Sequence, residues 1–279
     1  MYILTRHVLL LLSLLVIPFA LPAANLPEAL NVPGGVALES VEARDRVPPE
    51  VSFADGRVAV VEDGEDLIAV VGIPLDTQPG EQWLDMRWPN GVHARQSFMV
   101  EPKNYETQYL TITDERKVEP LAEDLERIYR EQAITSEVLA TWTPRSPDFA
   151  FSSPVEGPIS SVYGLRRFYN NQPRSPHSGL DIAAAKGTPI RAPAAATVIH
   201  TGEFFFSGNV VYLSHGQGLT TMYAHMTEIK VEKGQQVSKG EVIGTIGQTG
   251  RVTGPHLHWG VYLNSTPVDP TLFLGETPP

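Results

Sequence analysis

Two histidines stand at i and i+2 in the apolar run Gly254-Pro255-His256-Leu257-His258-Trp259-Gly260-Val261. In an extended strand side chains alternate between faces, so His256 and His258 point the same way. Two imidazoles on one face suit a metal site or an acid–base site. Two further pieces carry the same chemistry: His177-Ser178-Gly179-Leu180-Asp181 and Tyr223-Ala224-His225-Met226. Five of the eight histidines fall in these three pieces. Taken singly, two have plain structural explanations, a hydrogen-bonded His177–Asp181 surface pair and a satisfied His225 in a core, and His256-x-His258 alone is ambiguous. Three such pieces in one glycine-rich stretch make coincidence a poor explanation.

A catalytic zinc takes three protein ligands from His, Asp or Glu and keeps one position open. The candidates are His177, Asp181, His225, His256 and His258. The four-residue step from His177 to Asp181 fits one helix face, and equally a short turn through Gly179 into a strand. The spacing leaves open which of the five bind metal and which move protons. His93 stands alone, and His200 and His215 end strand-like runs; these three are read as structural.

The elements that must position this set are mostly strands. From Phe151 onward 16 of the 23 glycines appear, and Thr188 to Ala192, Ala196 to Thr201, Asn209 to Ser214, Thr220 to His225, Val242 to Gly247 and His256 to Leu263 read as strands between tight turns. Arg57 to Glu62, Leu67 to Ile73, Trp83 to Trp88 and His93 to Val100 form an earlier group, separated by Asp55-Gly56, Asp63-Gly64, Pro79-Gly80 and Asn90-Gly91. That spacing predicts a small antiparallel sandwich or barrel. Between the groups, residues 117–142 carry apolar residues at three- and four-residue steps: Val118, Leu121, Leu125, Ile128, Tyr129, Ile134, Val138 and Leu139. They predict an amphipathic helix that packs or links, with Pro120 in its first turn. Thr143-Pro144-Arg145-Ser146-Pro147 ends it. The expected division is 1–24 export signal, 25–114 N-terminal β domain, 115–147 linking helix and linker, and 148–279 the histidine-bearing β domain. The expected fold class is therefore mainly β.

Composition narrows the function. The chain has no cysteine, which excludes disulfides, thiolate metal sites and a cysteine nucleophile. Its formal net charge is −11, and the acidity is uneven: residues 1–150 hold 12 Lys and Arg against 24 Asp and Glu, while residues 151–279 hold 9 against 8. No basic stripe offers a footing to a phosphate backbone, so nucleic acid is not expected as a partner. Arg6 and His7 precede the apolar run Val8 to Phe19, and Ala20-Leu21-Pro22-Ala23-Ala24 follows. That pattern predicts export, with an uncleaved membrane anchor as the alternative. After cleavage no membrane association is expected, and the protein is expected to be a monomer.

The His-x-x-x-Asp piece, the distal His225 after Tyr223-Ala224, and His256-x-His258 together resemble the lysostaphin-type (LytM, M23) zinc metallopeptidases. Tyr163-Gly164-Leu165-Arg166, Gly187-Thr188-Pro189-Ile190-Arg191-Ala192-Pro193, Asn209 to Gly216 and Val237-Ser238-Lys239-Gly240 add to the likeness, which covers about residues 151–272. The resemblance implies an antiparallel β-sheet groove and a Zn²⁺ held by His177, Asp181 and His258, with His225 and His256 lining the cleft and assisting catalysis. It implies hydrolysis of peptide cross-links in bacterial peptidoglycan, with D-alanyl–meso-diaminopimelate bonds expected and an oligoglycine bridge as the alternative, in a periplasmic or cell-envelope location. The alternative is a non-catalytic regulator that binds peptidoglycan or an amidase through the same groove; retention of all five positions favours the enzyme. The acidic N-terminal region is expected either to support the peptidase by packing or to cover its groove in part.

Overall fold

The computed structural model describes residues 24–45 and 47–275. The export signal expected over 1–24 lies outside them, apart from Ala24. The expectation of a mainly antiparallel β protein is met. Six strands come first: β1 (Val36–Val41), β2 (Glu50–Phe53), β3 (Gly56–Asp63), β4 (Asp66–Gly72), β5 (Gly80–Arg87) and β6 (His93–Val100). They form one antiparallel sheet in the order β1-β4-β3-β2-β5-β6. Its two edge strands share one apolar cluster, since Ala37 and Val41 pack in the same core as Phe98 and Val100. The sheet therefore curls round on itself, as right-handed strand twist favours.

The strand β4 is apolar at nearly every position because both its faces are buried. Ala69 and Val71 enter the cluster inside the curled sheet, while Val70 joins the larger core of the histidine-bearing half, beside Val36, Ala59 and Val61. A buried amide strengthens this junction. The Gly72 N–H donates to Asn264 Oδ1 at 2.7 Å, and Asn264 Nδ2 donates to the Gly72 carbonyl at 3.0 Å. A Cβ at Gly72 would lie 2.8 Å from the Leu263 Cβ, so only glycine allows the approach.

Strand β7 (Thr107–Leu110) follows, then a 3₁₀ turn at Glu115–Lys117 and the helix α1 (Ala122–Leu139). The helix is shorter than the stretch 117–142, and Pro120 lies ahead of it. Asp124 sets its start: the carboxylate accepts from the Leu121 N–H at 3.1 Å and is itself gripped by Arg116. Only part of the apolar stripe is covered. Ile128 and Val138 are buried, whereas Leu121, Leu125 and Tyr129 remain exposed, Tyr129 to 63%.

The second half opens with β8 (Ile159–Ser161), β9 (Arg166–Tyr169), β10 (Gln172–Pro173), β11 (Leu180–Ala183) and β12 (Pro189–Arg191). The long strands β13 (Ala196–Phe204), β14 (Gly208–Gly216) and β15 (Leu219–Met226) come next, then the short β16 (Glu228–Ile229), β17 (Gln236–Val237) and β18 (Val242–Thr245), and last β19 (His256–Leu263) and β20 (Thr266–Val268). The main sheet runs β17-β13-β14-β15-β19-β11-β8, with β20 on β19. Among the named strands of the described residues one pairing departs from the antiparallel rule: β7 lies parallel to β9, tying the N-terminal segment to the second half. One face of the main sheet closes over Val211, Leu213, Tyr223, Leu257 and Trp259. The other face carries Val210, Tyr212, Met222, Ala224 and Tyr262, and Val138 of α1 packs on it.

His215, on β14, is buried against Phe151, and its Nε2 lies 2.9 Å from Thr221 Oγ1. Burial pushes its pKa down to about 3, and the charge of Arg145 adds to the shift. The unfolded histidine takes a proton near pH 6.5, whereas the folded one does so only near 3. The unfolded chain thus binds more protons between these values, and stability falls as pH drops through that window. The slope from this one group is about 1.4 kcal/mol per pH unit. His215→Gln should lose that share of the slope, measured by urea unfolding at pH 7, 6, 5 and 4. Parallel pH profiles for variant and wild type would refute the assignment.

Candidate active site

The register between β11 and β19 builds the site. Asp181 lies directly opposite His258, and Ala183 opposite His256. Directly opposed residues share a face, so the carboxylate and both imidazoles emerge on the same side. His177 precedes β11 on a loop fixed by two backbone bonds, His177 N–H to the Leu165 carbonyl at 2.9 Å and Gly164 N–H to the His177 carbonyl at 2.8 Å. The turn through Gly179 into a strand is thus the arrangement adopted. A Cβ on Gly179 would sit 2.5 Å from the Trp259 carbonyl and 2.8 Å from the His258 ring. The glycine is what lets this loop close over β19.

The side chains converge. His177 Nδ1–H donates to the Val162 carbonyl at 2.7 Å, so in the neutral ring the lone pair is on Nε2. That Nε2 lies 2.9 Å from Asp181 Oδ1 and 3.1 Å from His258 Nδ1, and the last two atoms are 2.8 Å apart. The cluster is buried: His177 is 2% exposed and Asp181 7%. Burial alone would raise the Asp181 carboxyl, but the contacts with His177 and His258 outweigh it and hold it far below the usual carboxylate range. Burial likewise lowers His258, against the pull of Asp181. The site thus sets a carboxylate oxygen and two imidazole nitrogens against one another, a donor set with a cation's place among them.

The other Asp181 oxygen is occupied. Arg167 Nη2 donates to Oδ2 at 2.8 Å and to Ser161 Oγ at 2.9 Å. This fork leaves Oδ1 turned toward the two imidazoles. The motif Tyr163 to Arg166 draws attention to Arg166, yet it is Arg167 that touches the site. Arg166 turns away and donates to the Tyr105 carbonyl at 3.2 Å. The two arginines are neighbours on β9, so they lie on opposite faces.

His225 and His256 stand beside the cluster. Their rings are 4.9 Å apart, and the His225 ring is 6.1 Å from that of His258. His256 Nδ1–H donates to the Gly254 carbonyl and His225 Nδ1–H to the Thr249 carbonyl, each at 2.9 Å. In both neutral rings Nε2 is then the free base. Burial first, then the charges of His256 and His258, push the His225 pKa down to about 3. His225 has φ +64°, a left-handed conformation that is unusual for a non-glycine residue. Regular alternation would put its side chain on the face of Tyr223, opposite to that of Ala224 and its partner His258. The left-handed turn at the end of β15 re-aims the ring toward the other histidines.

All five candidate residues thus meet in one place. His93, His200 and His215 stand outside it. A cleft of about 290 Å³ runs past His177, His225 and His258. Thr135 of α1 forms part of its wall, 3.5 Å from the Tyr212 hydroxyl. Tyr169, Phe206 and Arg251 line it as well. No motif marked these last three, because their strands and loops are far apart in sequence.

Residues 175–270 match the family described as Peptidase family M23, and residues 30–103 match its N-terminal domain. The crystal structure of a peptidase M23 from Pseudomonas aeruginosa is 41% identical, covers 89% of this chain and 96% of its own, and superposes with a TM-score of 0.74. The peptidoglycan DD-endopeptidase ShyA of Vibrio cholerae is 42% identical over 112 residues, 40% of this chain and 26% of ShyA. The DD-carboxypeptidase/endopeptidase Mpg of Neisseria meningitidis is 41% identical over 120 residues, 43% of this chain and 28% of Mpg. The matched part spans about a quarter of the length of these curated relatives.

Proposed function

The chain belongs to peptidase family M23, and on that premise we propose that it is a zinc-dependent endopeptidase that hydrolyses peptide cross-links of bacterial peptidoglycan. The observation that carries this reading is the convergence of His177 Nε2, Asp181 Oδ1 and His258 Nδ1 within 4.8 Å of one another beside an open cleft. Two imidazoles and one carboxylate are a donor set that suits zinc and leaves it a net positive charge. Bound there, the ion would supply Lewis acidity to a carbonyl oxygen and make a water acidic near neutral pH. The remaining steps fall to the chain. Arg167 holds Asp181 in its orientation. His225 and His256 keep Nε2 as an open base, accept a proton as water attacks, stabilise the developing oxyanion and return the proton to the leaving amine. The low proton affinity of His225 keeps its ring uncharged at neutral pH.

The names of the relatives support a D,D bond as the target, and the D-alanyl–meso-diaminopimelate cross-link is the bond we assign. From that substrate class we infer a periplasmic or cell-envelope location. Among the described residues no helix is long and apolar enough to cross a membrane.

The test is digestion of purified diaminopimelate-type peptidoglycan by zinc-loaded protein comprising residues 25–279, with products resolved by mass spectrometry. Cross-linked muropeptide dimers should disappear in favour of monomers, and a chelator should abolish the change. Persistence of the dimers with zinc bound would sink the endopeptidase reading.

A further inference from the structure

Arg251 lies in the same cleft and is used by none of the steps above. Its guanidinium packs against two rings, 4.6 Å from the Tyr169 centroid and 4.3 Å from that of Phe206. The two aromatic contacts hold the cation in place, and its N–H groups point outward in the guanidinium plane. One of them, on Nη1, reaches the Lys117 carbonyl at 3.4 Å, a long and weak contact. The main chain is fixed too, because Arg251 N–H donates to the Phe206 carbonyl at 2.8 Å.

Arg167 is neutralised by Asp181 at 2.8 Å, but among the described residues no carboxylate pairs with Arg251. Burial first, and then the nearby charges of Arg167 and Arg174, lower its proton affinity below that of a free arginine, with Tyr169 opposing. An arginine stays protonated even so. The cleft therefore holds a rigid, half-buried cation and an excess of positive charge. A desolvated charge of this kind is costly unless an anion completes it.

The position of Arg251 suggests which anion. The loop between β18 and β19 carries both Arg251 and Thr249, whose carbonyl anchors His225. The guanidinium is thus tied to the side of the cleft where the proton-transfer histidine stands. In a D-alanyl–meso-diaminopimelate cross-link, the carbon bearing the scissile nitrogen also bears a free carboxylate. A planar guanidinium fork matches a carboxylate in two parallel hydrogen bonds.

We propose that Arg251 reads the free carboxylate on the amine side of the scissile bond, so that the enzyme selects peptides in which that carboxylate is present. The proposal rests on the endopeptidase reading and deepens it, since it restricts the substrate class. An oligoglycine bridge, whose amine-side residue has its carboxyl group bound up in the next amide, would lack the group that Arg251 receives. Arg251 is then a specificity-determining residue, distinct in role from the five residues of the His–Asp cluster.

The experiment compares two synthetic D-alanyl–meso-diaminopimelate cross-link peptides. They differ only in a free carboxylate or a primary carboxamide on the carbon beside the scissile nitrogen. The wild-type enzyme should prefer the carboxylate by about 10- to 100-fold in kcat/KM, the worth of one charged hydrogen-bonded contact. Arg251→Met should bring that ratio close to one while zinc content stays at the wild-type level. Arg251→Lys, which keeps the charge without the fork, should give an intermediate ratio and serves where the methionine variant folds poorly. A wild-type ratio near one, or a ratio unchanged in both variants, overturns the proposal. Cleavage of intact peptidoglycan with no carboxylate preference would overturn this proposal alone. Failure of the wild type to cleave either peptide or intact peptidoglycan would overturn the endopeptidase reading and this proposal with it.

Discussion

Asp181→Ala is expected to purify without stoichiometric zinc and to lose cross-link cleavage by at least about 10³-fold, the scale of losing several kcal/mol of Lewis-acid stabilisation. The argument is electrostatic as well as geometric. Asp181 is the only anion in the cluster, and its Oδ1 lies 2.9 Å from His177 Nε2 and 2.8 Å from His258 Nδ1. Its Oδ2 holds the Arg167 guanidinium at 2.8 Å. Without Asp181 two imidazoles remain, and an unpaired, nearly buried Arg167 cation would face any divalent ion entering the site. Asp181→Asn keeps the shape but loses the charge, and should also fail to hold metal. Elemental analysis of the purified proteins gives the readout independently of activity. One zinc per chain in the alanine variant would rule out Asp181 as a ligand.

His225→Ala is expected to behave in the opposite way with respect to metal. Zinc should stay bound, because His225 is not among the three converging donors, while turnover falls by about 10²- to 10⁴-fold through loss of proton transfer and oxyanion stabilisation. Loss of zinc from this variant would collapse the division between ligands and proton carriers. A second substitution at the same position tests the backbone argument. At φ +64° alanine keeps the strain that histidine tolerates, whereas glycine does not. His225→Gly should therefore be as inactive as His225→Ala, yet more stable by about 1 kcal/mol. Chemical denaturation of the two variants, both zinc-loaded, measures this difference. An alanine variant equal in stability to the glycine variant would mean that the left-handed turn stores no strain.

Much of the site was legible because it depends on local rules. The period-2 rule placed His256 and His258 on one face, and β19 runs over His256–Leu263, the stretch read as a strand. β6 likewise spans His93–Val100. Strands that bury one face announce themselves by alternation and by the turns that bound them. The resemblance to a peptidase family rested on the same short pieces. Shorter strands such as β8, β10 and β11 left no clear trace, since two to four residues are too few for a period to be seen. Helix α1 was visible as a stripe, but the stripe overstated its burial: Leu121, Leu125 and Tyr129 face solvent. Helical periodicity reports which residues share a side, and not whether a neighbour covers it.

Tertiary structure decided the rest. Sequence order says nothing of which strand pairs with which, and it was the β11–β19 register that set Asp181 against His258 across 77 residues of chain. The same holds for Arg167, chosen over its neighbour Arg166 by the face of β9 that meets the sheet. His225 breaks alternation through a single left-handed residue, a conformation that no side-chain pattern encodes. Arg251, Tyr169 and Phe206 come together from three separate segments, so their stack exists only once the loops have closed. Residue types and local spacing determined the kind of chemistry available to this protein. Long-range pairing, whose energy comes from burial shared among distant segments, decided where each donor points and which cation, among the described residues, has no carboxylate beside it.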